Sequence, residues 1–566
     1  MKRNPWRIMA RVIILALLAV AAAPSVAETA PPRAGIATAH PLATDAGLRI
    51  IDEGGNAFDA AVAVTAMLAV VEPTGSGLGG GGFWLLHRAR DGFETMLDGR
   101  ETAPRRAHRD MYLGADGEVV EGLSIDGPLA AGIPGIPAGM VHLAEHYGRL
   151  PLARSLAPAI QRAREGFPVT EHYRRMAKFR LDALRRSPAA AATFLLDGEV
   201  PPVGHLVRQP ALANTLETIA HLGRDGFYRG PVARKLVDGV RAAGGIWELQ
   251  DLAGYRLVER KPIRARFTSR RGEMRITSAA PPSSGGIALA TLFNILSGYD
   301  LDAVDGITRK HLIIEAMRRA YRDRAVYLGD PDFTKIPVER LLHPYYAAGL
   351  RAAIRLDRAL PSDYLPGVEQ PPRGRDTTHF SILDREGNRV AATLTINYPF
   401  GSGFVAPGTG VLLNDEMDDF SAKPGTPNVY GLVGGEANAI APGKRPLSSM
   451  SPSFLATERG IAVVGTPGGS RIITMVLLAA LDFEAGGDAH SMVALPRFHH
   501  QYLPDVVQYE RGALNEDEIA GLQFRGHLLR EFERGWGNMQ AVVWDTRRNR
   551  VSAAADPRVE GSAVVK

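Results

Sequence analysis

The sequence predicts a layered α/β fold, of the α+β kind, on three observations. Strand patterns occur before residue 100, again between residues 264 and 278, and densely after residue 377. A long stretch from Ala138 to about Gly245 is mostly helical. Ala60 to Val71 is apolar nearly all round, as a helix buried between layers is, and Ser470 begins another apolar helix.

The elements follow in order. Ala60 to Val71 (AAVAVTAMLAVV) is apolar nearly all round and reads as a buried helix ended by Glu72-Pro73. Phe83 to Leu86 reads as a strand. Leu150 to Gly166 and Glu171 to Arg186 are helices, the second carrying Arg174, Arg175, Arg180, Arg185 and Arg186 as a solvated face. Strands return at Arg264 to Phe267 and Met274 to Ser278, then helices at Gly286 to Leu296 and His311 to Tyr327. Proline and glycine break Leu365 to Asp376 into an exposed loop. Phe380 to Leu383, the turn Asp384 to Asn388, and Val390 to Asn397 form a hairpin. Phe454 to Ala456 and Ile461 to Gly465 are strands, Ser470 opens an apolar helix to about Leu481, and Ala541 to Trp544 with Arg550 to Ala555 make a last hairpin. There is no internal repeat and no long low-complexity segment.

The 566 residues suit three or four domains or one large layered unit. A hydrophobic fraction of 45% is ordinary for a globular core. Of the net charge of +5, Lys2, Arg3, Arg7 and Arg11 supply four, and no acidic residue precedes Glu28. The remaining chain is near neutral and has no Lys/Arg patch with interleaved aromatics, so a nucleic-acid partner is not expected. The basic start, the apolar run Val12 to Ala23 and Ser25-Val26-Ala27 read as a signal peptide over residues 1–27, giving a periplasmic or secreted protein. That run is shorter than the ~20 residues of a membrane span, so no stable membrane insertion is expected; the competing reading is an uncleaved anchor. With no cysteine in the chain, disulfides, thiolate metal sites and a thiol nucleophile are excluded.

The chemistry concentrates at Asp376-Thr377-Thr378-His379-Phe380. A threonine that begins a strand directly after an exposed loop becomes a new N-terminus if the bond before it is cut. Its hydroxyl is then a nucleophile and its own α-amine, titrating near ~8, the base. Other motifs fall away. Gly75 to Gly80 spells G-x-G-x-x-G, but a helix precedes it and a strand follows, the reverse of a dinucleotide site, so the glycines serve close backbone packing. His499 and His500 are adjacent on a strand and point to opposite faces with no third ligand in reach, so no metal is expected. His379 is assigned to structure. Ser283-Ser284 lacks a nucleophile elbow and fits the cap of the following helix.

Thr377 to Ser421 (TTHFSILDREGNRVAATLTINYPFGSGFVAPGTGVLLNDEMDDFS) closely resembles the start of the small subunit of γ-glutamyltransferases, which are N-terminal-nucleophile hydrolases. The resemblance continues through Pro446 to Pro452 (PLSSMSP) and Gly465 to Arg471 (GTPGGSR). It reaches back to Gly79 to Phe83, Asp98 to Glu101 and Pro281 to Gly286. It implies a four-layer αββα sandwich built jointly by two fragments of one precursor. These are a large subunit over residues 28–376 and a small subunit over 377–566, separated by cleavage of Asp376–Thr377 and held together as a heterodimer. It implies Thr377 as nucleophile, oriented by Thr395, with Gly468 and Gly469 as oxyanion donors. Glu416, Asp419 and Asn397 would meet the α-ammonium of a γ-glutamyl group, and Arg100, Ser448 and Ser449 its α-carboxylate. Tyr430 would belong to a lid loop. Gly99 departs from the family's usual aromatic residue before the arginine, an expected loosening around Arg100.

The implied reaction moves the γ-glutamyl group of glutathione or another γ-glutamyl compound to water, an amino acid or a peptide, with no cofactor. A cephalosporin (glutaryl) acylase of the same superfamily is the nearest rival; its acyl chain lacks the ammonium that Glu416 and Asp419 would bind. A periplasmic binding protein without catalysis is the rival from another class, against which Thr377, Thr395 and the glycine pair all speak.

Overall fold

The computed structural model describes residues 30–365, 377–423 and 434–566. The leader over 1–27, Asp376 of the cleavage site and Tyr430 lie outside the described residues.

Two antiparallel sheets form the centre. Across the first, the strands run Ser562–Val565, Gly35–Thr38, Thr378–Leu383, Arg389–Thr395, Gly81–Arg88, Phe93–Gly99 and Val258–Arg260. Across the second they run Arg550–Ala555, Gln540–Asp545, Gly460–Gly465, Ser453–Thr457, Gly272–Ser278 and Ile263–Ser269. Side chains alternate along a strand, so a sheet between two layers needs apolar residues at every position. The strand Gly81–Arg88 meets that demand. Trp84 and Leu86 enter a core shared with one set of helices, while Phe83 and Leu85 enter a core shared with the second sheet. The layers are therefore helices, sheet, sheet, helices: the four-layer αββα sandwich the resemblance implies.

The helix Ala57–Val71 is buried along its whole length on the first sheet, as its all-round apolarity requires. A capping box of Asn56 and Asp59 starts it. On the outer side of the second sheet lie Gly285–Leu296, Gly306–Tyr327 and Ile472–Glu484.

The structure departs from the sequence reading at four points. Glu171 to Arg186 is two helices, Glu171–Phe179 and Leu181–Arg186, broken at Arg180. Arg180 is buried, not solvated: it donates to the carbonyls of Pro399 and Gly401, pairs with Asp126 and lies over the Tyr398 ring. The serine before Gly285–Leu296 is no side-chain cap: Ser284 Oγ donates to the Ser448 carbonyl, and Ser283 Oγ accepts from Gly285 N–H. A strand absent from the sequence reading, Ser562–Val565, pairs with Gly35–Thr38 at the sheet edge.

Sequence segments on both sides of residue 377 contribute strands to both sheets. The hairpin Thr378–Leu383/Arg389–Thr395 sits inside the first sheet, paired on either flank by Gly35–Thr38 and Gly81–Arg88. Thr377 thus stands at the end of an interior strand, on a rigid base.

Candidate active site

Thr377 is buried immediately before the strand Thr378–Leu383. The pairing of Leu394 with Thr378 brings Thr395, the next residue on the neighbouring strand, to the same sheet end. The two adjacent threonines have separate contacts. Thr378 Oγ1 donates to Glu72 at 2.6 Å, tying it to the end of the buried helix, whereas Thr377 lines a cavity. Thr395 Oγ1 accepts the Asn397 N–H at 2.7 Å, which leaves its own proton to donate elsewhere. Asn397 has a positive φ of 71° and is held by Asp415, to whose carbonyl and carboxylate its amide donates at 3.0 and 3.2 Å. The glycine run beneath explains itself at Gly80, where a Cβ would fall 2.0 Å from the Thr395 carbonyl oxygen. The G-x-G-x-x-G string is a packing surface for the threonine strands.

Gly468 and Gly469 both have positive φ, 138° and 56°, conformations that favour glycine. Gly469 lines the cavity and opens a 3₁₀ turn, Gly469–Arg471, that runs into the helix Ile472–Glu484. Gly468 lies one residue back, where a Cβ would come within 2.6 Å of Met475 Cε. The turn leads into the N-terminus of that helix, the positive end of its dipole, a setting that suits developing negative charge.

The charged wall is built from two distant segments. Glu416–Asp419 forms a 3₁₀ turn. Arg100, fully buried, pairs with both Glu416 and Asp419 and donates to the carbonyls of Pro446 and Leu447 at 3.2 and 3.4 Å. The sequence reading placed these residues against opposite charges of one ligand; in the structure the guanidinium holds both carboxylates directly. Burial alone would lower the Arg100 pKa, but the carboxylates of Glu416, Asp419 and Glu101 outweigh it and hold it above its ordinary value. Burial also pushes the Glu101 carboxyl up to about 8, and Glu416 well above the usual carboxylate range. Glu101 Oε1 and Glu416 Oε2 are buried and find no hydrogen-bond partner among the described residues.

The expected loosening at Gly99 does not occur. A Cβ there would lie 2.7 Å from the Trp84 ring, so the indole of the next strand occupies the space an aromatic at 99 would take. The Arg100 carbonyl accepts from Tyr255 OH at 2.9 Å and its N–H donates to Asp98 at 3.0 Å, which fix the backbone.

Ser448 and Ser449 complete the cavity, which has about 300 Å³ of atom-free space. Arg100, Thr377, Thr395, Asn397, Glu416 and Asp419, predicted from separate motifs, line it together with Ser448, Ser449 and Gly469. Sequence reasoning missed Arg324, which also lines it. The available signal was an arginine continuing the apolar stripe of its own helix, at Ile313, Met317 and Ala320.

The histidines are structural. His379 is buried, hydrogen-bonded to Thr393 and Ser381, and kept neutral by burial, which lowers its pKa to about 3. His499 meets Thr474 and Gln501, His500 meets Asp505, and no cluster suited to a metal ion occurs among the described residues. No described helix is long and apolar enough to cross a membrane.

Comparison with known proteins agrees with this geometry. A glutathione hydrolase proenzyme of Pseudomonas sp. (strain A14) is 44% identical over 502 residues, 87% of this chain and 86% of that protein. The glutathione hydrolase proenzyme of Escherichia coli (strain K12) is 41% identical over 529 residues, 92% and 90% of the two chains. Among solved structures, a cephalosporin acylase from Bacillus halodurans superposes with a TM-score of 0.81 at 28% identity, covering 94% of this chain and 96% of that one. The family model for gamma-glutamyltranspeptidase matches residues 43–566, and this chain belongs to that family.

Proposed function

We propose that the protein is a self-cleaving γ-glutamyltransferase and glutathione hydrolase with Thr377 as its nucleophile. The supporting observation is the convergence of a strand-initial threonine, a positive-φ glycine pair and a cavity carrying both signs of charge.

In the precursor, Thr377 Oγ1 attacks the Asp376 carbonyl carbon. The Asp376–Thr377 amide becomes an ester on the threonine oxygen, and water hydrolyses that ester. This frees the Asp376 carboxylate and the Thr377 α-amine. In turnover, the amine takes the Oγ1 proton as oxygen attacks the γ-carbonyl of the donor. The oxyanion is met by N–H groups of the Gly468–Gly469 turn. The proton passes to the leaving amine, which departs, and the γ-glutamyl ester remains. Water, an amino acid or a peptide then attacks the ester and restores Thr377. Thr395 donates to and orients the nucleophile. Asp419 and Glu416, with Asn397, receive the donor's α-ammonium, and Arg100, Ser448 and Ser449 its α-carboxylate.

Export after removal of residues 1–27 is part of the same reading. A denaturing gel with N-terminal sequencing tests cleavage: fragments of roughly 38 and 20 kDa are expected by residue count, the smaller starting Thr377-Thr378-His379. A single chain starting near Glu28 would overturn it.

The acylase-like superposition makes glutaryl transfer the rival. Glu416 and Asp419 line the cavity as acceptors for a donor that carries an ammonium, a group the glutaryl chain lacks. Faster turnover of a glutaryl anilide than of a γ-glutamyl anilide would reverse the assignment.

A further inference from the structure

Arg324 is buried in the wall of the cavity, yet its hydrogen bonds go to two neutral hydroxyls, Ser284 Oγ at 3.0 Å and Ser449 Oγ at 3.1 Å. Among the described residues it forms no ion pair. A guanidinium in that position is costly unless a counter-charge arrives, because burial removes hydration that only an anion replaces. Burial accordingly holds its pKa down at about 10, with Tyr321 and Asp419 opposing the shift and Arg100 adding to it.

The hydrogen bonds also dictate where protons point. An arginine only donates, so Ser449 Oγ is an acceptor toward Arg324 and its own proton is turned elsewhere. Ser448 Oγ is an acceptor too, from Met450 N–H at 3.1 Å, and its proton is likewise uncommitted. Ser284 links the pair: its hydroxyl donates to the Ser448 carbonyl at 2.7 Å while it accepts from Arg324. Two serine hydroxyls are thereby presented as donors beside a buried positive charge.

The pairing leads the same way. Arg100 is already committed to Glu416 and Asp419, whereas Arg324 meets only hydroxyls, so Arg324 is the cation of the wall whose charge is not shared with a carboxylate within salt-bridge distance among the described residues.

We propose that Arg324 is a positioning residue for the donor's α-carboxylate, acting through Ser449 and supplying the positive charge that Arg100 shares with Glu416 and Asp419. This rests on the γ-glutamyl reading above and adds to it a residue that decides selectivity for a free α-carboxylate over a neutral one.

The test uses the cleaved wild-type protein and Arg324→Gln with two donors: a γ-glutamyl anilide, and the same anilide with its α-carboxylate converted to an amide. In Arg324→Gln, KM for the carboxylate donor should rise about 10- to 100-fold with kcat within about twofold. KM for the amide donor should stay put, so the preference for the free carboxylate collapses. Arg324→Lys should restore part of the lost affinity. Ser449→Ala should also raise KM, and the double variant Arg324→Gln/Ser449→Ala should lose little more than either single change, as two residues acting along one path do; Arg324→Met stands in if Arg324→Gln does not fold. Equal loss for both donors, or wild-type KM in Ser449→Ala, overturns the proposal. Failure of the wild type to turn over either γ-glutamyl donor would instead overturn the functional reading on which it rests.

Discussion

Two clusters of buried charge, one in the cavity and one near the C-terminus, differ in a way that separates binding from scaffolding. In the C-terminal knot, Arg497 pairs with Asp556, and Arg558 bridges Asp556 and Glu510 at 3.1 and 2.6 Å. Backbone N–H groups of Met539 and Trp536 fill the remaining carboxylate positions at 2.9 and 2.8 Å. None of the buried polar atoms of Arg497, Glu510, Asp556 and Arg558 lacks a partner. At the cavity, by contrast, Glu416 in the wall and Glu101 behind it, beside Arg100, each keep an oxygen without one, and Arg324 has hydroxyls where the knot has carboxylates. A satisfied cluster holds the fold; a cluster with unfilled valences beside a cavity is shaped for something else.

That contrast can be broken by variants that affect one property and spare the other. The largest effect belongs to Thr377→Ala. It should remain a single uncut chain and lose about 10³-fold or more of γ-glutamyl transfer. Its midpoint in urea should match that of an intact precursor; a cut Thr377→Ala protein would remove Thr377 from both steps. Next, Asp419→Ala should still be cleaved, because its carboxylate meets the donor and not the scissile bond, while kcat/KM for the γ-glutamyl anilide drops by about 10²-fold or more. Loss of cleavage in that variant would contradict the division of labour. The knot should behave in the opposite sense: Asp556→Ala strands two guanidiniums and should lower stability by about 3–5 kcal/mol, read from equilibrium unfolding. A stability loss equal to that of Asp419→Ala would erase the distinction. The smallest effect is in pH. Glu101 has its carboxyl pushed up to about 8 by burial, so it is protonated at pH 7 and loses its proton as the pH climbs through that value. A negative charge then appears behind the cavity wall, beside Arg100, and KM for a carboxylate-bearing donor should rise several-fold above pH 8. Glu101→Gln should flatten that rise; an identical profile in the variant would assign it to the donor's own amine.

Much of this was legible in the sequence because the decisive features were local. The strand start at Thr377, the glycine pair before an apolar helix, and the acidic turn at 416–419 each carry their signal within a few residues. What escaped depended on contacts across hundreds of positions. Arg180 looked like one more charge on a basic helix, and only the approach of the Pro399–Gly401 carbonyls turns it inward. Arg324 sits in RRAYRDR, where composition suggests a solvated face, yet Arg318, Arg319 and Arg324 are all buried. Ser562–Val565 is too short to declare itself before its partner Gly35–Thr38 is in place. The mutual pairing of Arg100, Glu416 and Asp419 was missed for another reason: motif reading gives each residue a role toward a ligand and none toward the others.

The sharing of both sheets by segments on either side of residue 377 has a consequence in time. A chain cut before Thr377 ahead of folding would have to rebuild interior strands from two separate polymers. The molecule must therefore acquire its shape first and be cut second. Once cut, it carries a history it cannot repeat. Denatured and diluted, the uncut Thr377→Ala chain finds its native state at a rate independent of concentration. The mature pair must meet by diffusion, having lost the high effective concentration that a shared backbone supplied. Maturation makes this fold a one-way product, whose persistence is governed by how slowly it opens rather than by how readily it re-forms.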